Sequence, residues 1–241
     1  MSQATDDAGE KERGRAGASA RDEYERRQAK DEERRRAVFG PLAPAIRLLA
    51  GPKRSTEAWG RGATGEERVG HWLDRAVGRR GVVLHDRALP DRRANIDHIA
   101  VVGSGVWVID SKHFRGRLER REVSGWFVPR PGLFVAGRDQ GRLVTAARRQ
   151  QALVAETLRA EDLGAEDLGA GEPGAGALVR AALCFTGVQV GLFTRPFTLE
   201  GVLVTWPLSF ARTLAVPGPL GPAERRALAA RLARAFPPYG S

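Results

Sequence analysis

The sequence predicts an α/β fold in which one mixed β-sheet is covered by helices. Three observations predict it. Residues 82–89, 95–102 and 106–112 are apolar, rich in β-branched side chains and closely spaced, the pattern of a three-strand meander. Helical periodicity lies on both sides of the meander, over 66–78 and 141–159. Two further apolar runs, 178–185 and 202–206, and a last helix over 222–236 complete the order helix, meander, helix, strand, strand, helix.

Residues 1–37 are polar, rich in Arg, Glu and Asp, with Tyr24 as their only aromatic side chain. Such a segment buries too little apolar surface to offset its ordering entropy, so it reads as a charged tail, disordered or forming a lone solvated helix. Residues 38–241 form the folded domain. Residues 40–52 hold a short apolar element bounded by prolines and glycines, and glycines punctuate 60–65. The first domain helix starts at Glu66, with Val69, Leu73, Ala76 and Val77 on one face. Gly103-Ser104-Gly105 joins the second and third strands as a hairpin. Residues 117–123 and 126–135 are further short strands. In the helix over 141–159, Leu143, Ala147, Gln150, Val154 and Leu158 recur every three or four residues. Residues 160–177 repeat AEDLG and continue as AGEPGAGA, the composition of a flexible loop. Pro222 suits the first turn of the last helix, and Pro237-Pro238 stop it.

The chain has 241 residues, 42% of them hydrophobic, and a formal net charge of +10. This excludes collagen-like, coiled-coil and wholly disordered chains. Cys184 is the only cysteine, so no disulfide forms within the chain. The longest apolar run, 99–109, is too short for a membrane span and is broken by Gly103, Ser104 and Gly105. The start has no apolar stretch of a secretory signal, and a cytoplasmic location is expected. The charge balance calls for an anionic partner, nucleic acid being the usual one. Of the basic residues 35 are Arg, so a compositional bias toward Arg accounts for part of this surplus.

The third strand ends in Asp110-Ser111-Lys112. Strand alternation puts Asp110 and Lys112 on the face shared by Val106 and Val108, with Ser111 on the other. Charged groups so close to a core are paired, metal-bound or functional. After position 53, Lys112 is the only lysine among 26 arginines. Unlike Arg, a desolvated lysine is able to lose its proton, which suits a group that activates or orients water. Asp97 intrudes likewise into the apolar second strand. The hairpin register decides what it meets. Pairing 102 with 105 sets Asp97 across from Asp110, and pairing 103 with 106 sets it across from Lys112. A plain three-residue loop brings His98 to that face instead. Two neighbouring carboxylates repel, and a divalent cation relieves this; oxygen ligands with little histidine favour Mg²⁺ or Mn²⁺ over zinc.

Gly62-Ala63-Thr64-Gly65-Glu66, Ile96-Asp97-His98-Ile99 and Val108-Ile109-Asp110-Ser111-Lys112, with Gly116 after them, resemble the NERD (nuclease-related domain) family of the PD-(D/E)xK nuclease superfamily. The motifs span roughly residues 55–160. The resemblance implies a restriction-endonuclease-like αβββαβ core, a mixed sheet flanked by helices, and metal-dependent hydrolysis of DNA phosphodiester bonds. By position, Asp97 and Asp110 would be metal ligands, with the Ser111 carbonyl as a third. Lys112 would position or polarise the attacking water, and Glu66 would be a further ligand or base. Gln150 matches a glutamine found near this site, with Gln151 as the competing choice. Asp110 stands where many members have Glu; being one methylene shorter, it would hold the metal closer to the strand. Arg92, Arg93, Arg115, Arg117, Arg120 and Arg121 would hold the phosphate backbone. The alternative is a nucleic-acid-binding or regulatory module that keeps the fold without turnover. His98 is expected behind the site, bonded to a backbone group, and Cys184 as an inert buried thiol.

Overall fold

A computed structural model describes residues 13–39, 54–90, 94–123, 130–164, 178–192 and 194–239. The helices are α1 (Ala18–Phe39), α2 (Arg54–Val77), α3 (Gly141–Gly164), α4 (Pro207–Leu214) and α5 (Pro222–Ala235). The strands are β1 (Val82–Ala88), β2 (Asn95–Val102), β3 (Gly105–Val123), β4 (Arg130–Val135), β5 (Arg138–Asp139), β6 (Val179–Gln189), β7 (Phe197–Leu199) and β8 (Val202–Thr205). The main path of the sheet runs β1-β2-β3-β6-β8-β7, and β4 and β5 pair off it beside β3. β3 pairs with β6, and β6 with β8, in parallel; the other pairings are antiparallel. The expected mixed α/β sheet with flanking helices is present, and α2-β1-β2-β3-α3-β6 follows the αβββαβ order.

Alternation along the strands builds two cores. Ile99, Val101, Val106 and Val108 face Val154 and Leu158 of α3 and Leu228 and Leu232 of α5. Ala100, Val102, Trp107 and Ile109 face Val69, Leu73 and Val77 of α2 and Phe210 of α4. A third cluster joins Leu118, Leu133 and Val135 to Leu183, Phe185 and Val204. Cys184 is fully buried, and burial pushes its thiol up to about 12. No helix among the described residues is long and apolar enough to cross a membrane.

Several elements differ from expectation. Helix α2 starts at Arg54 rather than Glu66, running through the glycines. Glycine weakens a helix, but at Gly65 a Cβ would lie 2.9 Å from the His113 Cβ, so the bare backbone lets α2 approach β3. The strands expected at 106–112 and 117–123 are one strand, with a bulge between His113 and Gly116. Gly116 takes φ +107° there, and a Cβ would meet that of Ala136 at 2.6 Å. Helix α3 continues through Gly164 into the expected loop, whose residues 165–177 lie outside the described ones. The short elements β5, β7 and α4 were not foreseen, and the element expected at 40–52 lies outside the described residues. The amino-terminal helix forms, and it is not lone: Ala16, Gly17 and Ala20 are buried where the segment meets α2.

Arg87 ties the carboxy-terminal helix to the sheet. Its side chain is fully buried, and its guanidinium donates to the carbonyls of Phe236 at 2.6 Å and Ala233 at 3.0 Å. These carbonyls close α5, where the helix dipole favours a cation. Arg87→Leu is expected to lower stability by about 3 kcal/mol, because the carbonyls lose a charged donor in a dry site. Urea denaturation measures this, and hydrogen exchange should show α5 opening first.

Candidate active site

The site is set by two strand registers. In β2–β3, Val102 pairs with Gly105 and His98 with Ile109, so the turn is Gly103-Ser104. This is the register that sets Asp97 beside Asp110; the two other possibilities are eliminated. In β1–β2, His85 pairs with His98 and Arg87 with Ile96, which sets Asp86 on the other side of Asp97. One aspartate from each of three adjacent strands thus occupies a single row across the sheet. Like charges directly opposite one another destabilise a sheet, so such a row demands compensation.

The compensation is visible group by group. Lys112 Nζ pairs with Asp110 Oδ1. Asp97 Oδ2 accepts from the Ser111 main-chain N–H at 2.8 Å and from the Ser111 hydroxyl at 3.1 Å. Asp86 accepts from the Ser19 N–H at 2.5 Å and from Asn95 Nδ2 at 2.7 Å. Its own backbone is left-handed, φ 48°, and its carbonyl accepts from the Tyr239 N–H at 2.8 Å. Glu66, one turn ahead of Val69 on α2, accepts from the Gly17 N–H at 3.0 Å.

Asp97, Asp110 and Glu66 therefore share the Lys112 ammonium, and Asp86 adds its charge beside Asp97 and Glu66. Burial, then the fields of Asp97 and Asp86, push the Glu66 carboxyl up to about 9. Burial raises Asp110 to about 7, Lys112 pulling it down and Asp97 pushing it up. Burial likewise raises Asp86, against its hydrogen bonds from Ser19 and Asn95. Burial opposes the charge on Lys112, but Asp110, Asp97 and Glu66 outweigh it and hold the ammonium above its ordinary range. Desolvation alone would let Lys112 lose its proton, but among these acids the ammonium is favoured.

Gln150 lies beside the row but donates to the Asn95 carbonyl, at 3.1 Å, bracing the start of β2; its Oε1 is buried with no partner among the described residues. Gln151 donates to the Val179 carbonyl at 2.9 Å. Arg115, Arg117, Arg120 and Arg121 lie exposed along β3, Arg121 pairing with Glu119 at 2.5 Å and lying over the Phe134 ring. Arg92 and Arg93 lie outside the described residues.

His98 is behind the site, as expected, but its partner is a side chain. Its Nδ1 lies 3.0 Å from His85 Nδ1, and His85 Nε2 lies 3.0 Å from Asp74 Oδ1. If His85 donates to Asp74, its Nδ1 accepts from His98, leaving His98 Nε2 as a bare, buried acceptor. Burial, before the influence of neighbouring His85, lowers His98 to about 3, so this ring stays neutral. Three contributors were missed by the sequence reading: Asp86, Asn95 and the Gly17–Ser19 amides. Asp86 carried the same signal as Asp97, an acid within an apolar strand.

The buried acids make stability fall as pH rises. In the unfolded chain both Asp110 and Glu66 ionise in the ordinary carboxylate range; folded, they keep protons to about 7 and about 9. The native state binds more protons between these limits. The associated stability is full below the carboxylate range and is lost as pH rises through the two folded values. Glu66→Gln, which retains an acceptor for Gly17, should remove the upper part of this decline, between about pH 7 and 9. Denaturant midpoints across pH read the slope, and an unchanged slope would mean that Glu66 ionises normally.

Comparison with curated proteins and with solved structures gives no match. The family described as nuclease-related domain, NERD, matches residues 61–186, a stretch that holds Glu66, the aspartate row, Lys112 and Gln150. With half of its length so matched, from within α2 to within β6, the chain belongs to the nuclease-related domain family.

Proposed function

We propose that this protein is a metal-dependent nuclease that hydrolyses phosphodiester bonds of DNA. The observation that carries the reading is the gathering of Asp97, Asp110 and Glu66 about Lys112, with Asp86 beside Asp97 and Glu66, inside the matched domain.

The donor set fits a hard divalent cation. Its ligating atoms are oxygens, and its negative charge exceeds what Lys112 neutralises. Asp97 and Asp110 would hold Mg²⁺ or Mn²⁺, with the Ser111 carbonyl beside them and Glu66 as a further ligand or base. When bound, such a cation stabilises charge on phosphoryl oxygens and lowers the pKa of a coordinated water. The protein's own groups do the rest. Lys112, held charged, donates hydrogen bonds to the attacking water or to oxygens that gain charge. Glu66, already protonated at neutral pH in this arrangement, is placed to exchange a proton as the charge around it changes. Ser111 fixes the Asp97 carboxylate, and Gln150 fixes the strand that carries it. The net charge of +10 and the exposed arginines along β3 supply attraction for a phosphate backbone.

One observation favours the second reading, a binding or regulatory module without turnover. Among the described residues, no group of three His, Cys, Asp or Glu side chains is arranged to hold a metal ion. Protein donors already bond Glu66 Oε1, Asp97 Oδ2 and Asp110 Oδ1. A metal would have to share these carboxylates with the protein donors or displace them.

Cleavage assays with Mg²⁺ or Mn²⁺ decide between the readings. Parent protein should cut DNA, while Asp110→Asn and Lys112→Ala should each lose at least about 100-fold in rate with the fold and DNA affinity kept. Equal rates in variants and parent would remove these residues from the mechanism. DNA binding without cleavage under any metal condition would favour the binding module.

A further inference from the structure

The amino-terminal segment lies outside the matched domain yet reaches the acids at its centre. Gly17 and Ser19 straddle the start of α1, where backbone N–H groups have no partner within the helix. Both point these groups at carboxylates: Gly17 at Glu66 Oε1, and Ser19 at Asp86 Oδ2. The contact with Glu66 is buried, and Glu66 itself is only 8% exposed.

We infer that residues 14–20 form an intramolecular cap that occupies the acids and weakens their hold on a divalent cation until it unseats. This rests on the metal-dependent reading proposed above. An amide N–H and a cation compete for the same carboxylate oxygen, and the positive end of the amide dipole repels the cation. The cap therefore opposes a metal bound through Glu66 Oε1, and its release favours one.

The seat is built for release. Ala16 and Ala20 are the buried apolar residues of the segment among those described, a small apolar anchor. Beyond the Gly17 and Ser19 amides, the helix also makes polar contacts near the surface. Arg21 pairs with Glu67, their side chains 47% and 32% exposed, and Arg26 bonds Tyr239. Exposed ion pairs are weak and screened by salt. The fit at the anchor is close: a Cβ on Gly70 of α2 would lie 2.4 Å from the Ala16 Cβ. Ala16 has no flexible end to swing away, so any side chain at position 70 must displace the cap backbone.

That steric fact supplies the test in the full chain. Gly70→Ala replaces a mid-helix glycine with the best helix former, so α2 is retained while Ala16 is pushed out. Arg21→Glu, facing Glu67, loosens the cap by charge instead. Hydrogen exchange of peptides covering 13–26 reads the seat, and Mn²⁺ binding is read from the free-ion paramagnetic resonance signal without nucleic acid. In both variants, exchange should become at least tenfold faster and Mn²⁺ should bind at least fivefold more tightly. Faster exchange with unchanged or weaker Mn²⁺ affinity overturns the inference and makes the segment a structural part of the site. Exchange unchanged in both variants overturns it too, since the segment would then not be removable. Mn²⁺ bound by neither parent nor variants overturns the metal-dependent reading, and this inference with it.

Discussion

The site depends on an imbalance of charge that folding forces into a small volume. Asp86, Asp97 and Asp110 are brought into one row by the registers of three adjacent strands, and Glu66 is laid beside them by α2. Lys112 is the ammonium that answers them. Removing charges from water is costly, and crowding like charges adds to that cost. The chain meets the cost by keeping protons on Glu66 and Asp110 and by directing backbone N–H groups at the acids. On the reading proposed above, a divalent cation replaces those protons and donors.

Remote parts of the chain hold the row in place. The carboxy-terminal segment bonds the backbone of Asp86 through Tyr239, and Arg87 beside it clamps the end of α5. Asn95 links Asp86 to Gln150 of α3, since its side chain donates to the acid and its carbonyl accepts from the amide. The strained backbone of Asp86, a left-handed residue within a strand, is thus restrained by β2, α1 and the carboxy terminus together. Gln150, matched by resemblance to a catalytic position, works here as a brace for β2.

Much of this was legible in the sequence for definite reasons. The apolar strands 95–102 and 106–112 carry Asp97, Asp110 and Lys112 as exceptions, and charged exceptions in apolar strands are informative. The hairpin left three registers open because Gly103-Ser104-Gly105 allows turns of different length and position; the structure selects the two-residue turn Gly103-Ser104. Local signals misled where tertiary contact dominates. The glycines at 60–65 read as a helix breaker, yet Gly65 serves close packing against His113. The bulge at 113–116 hid the continuity of β3, because the pattern of alternation shifts across it. The seating of residues 14–20 on Glu66 was illegible, since it is made by main-chain amides, which no side-chain pattern reports.

These buried carboxyls hold protons, which on the reading proposed above a divalent cation displaces. Calorimetric titration with Mn²⁺ near pH 6.5, repeated in buffers of different ionisation enthalpy, counts the protons released on binding. Binding should release about one proton or more, with the release reduced in Glu66→Gln. Binding with no release, or no binding at all, would contradict that reading.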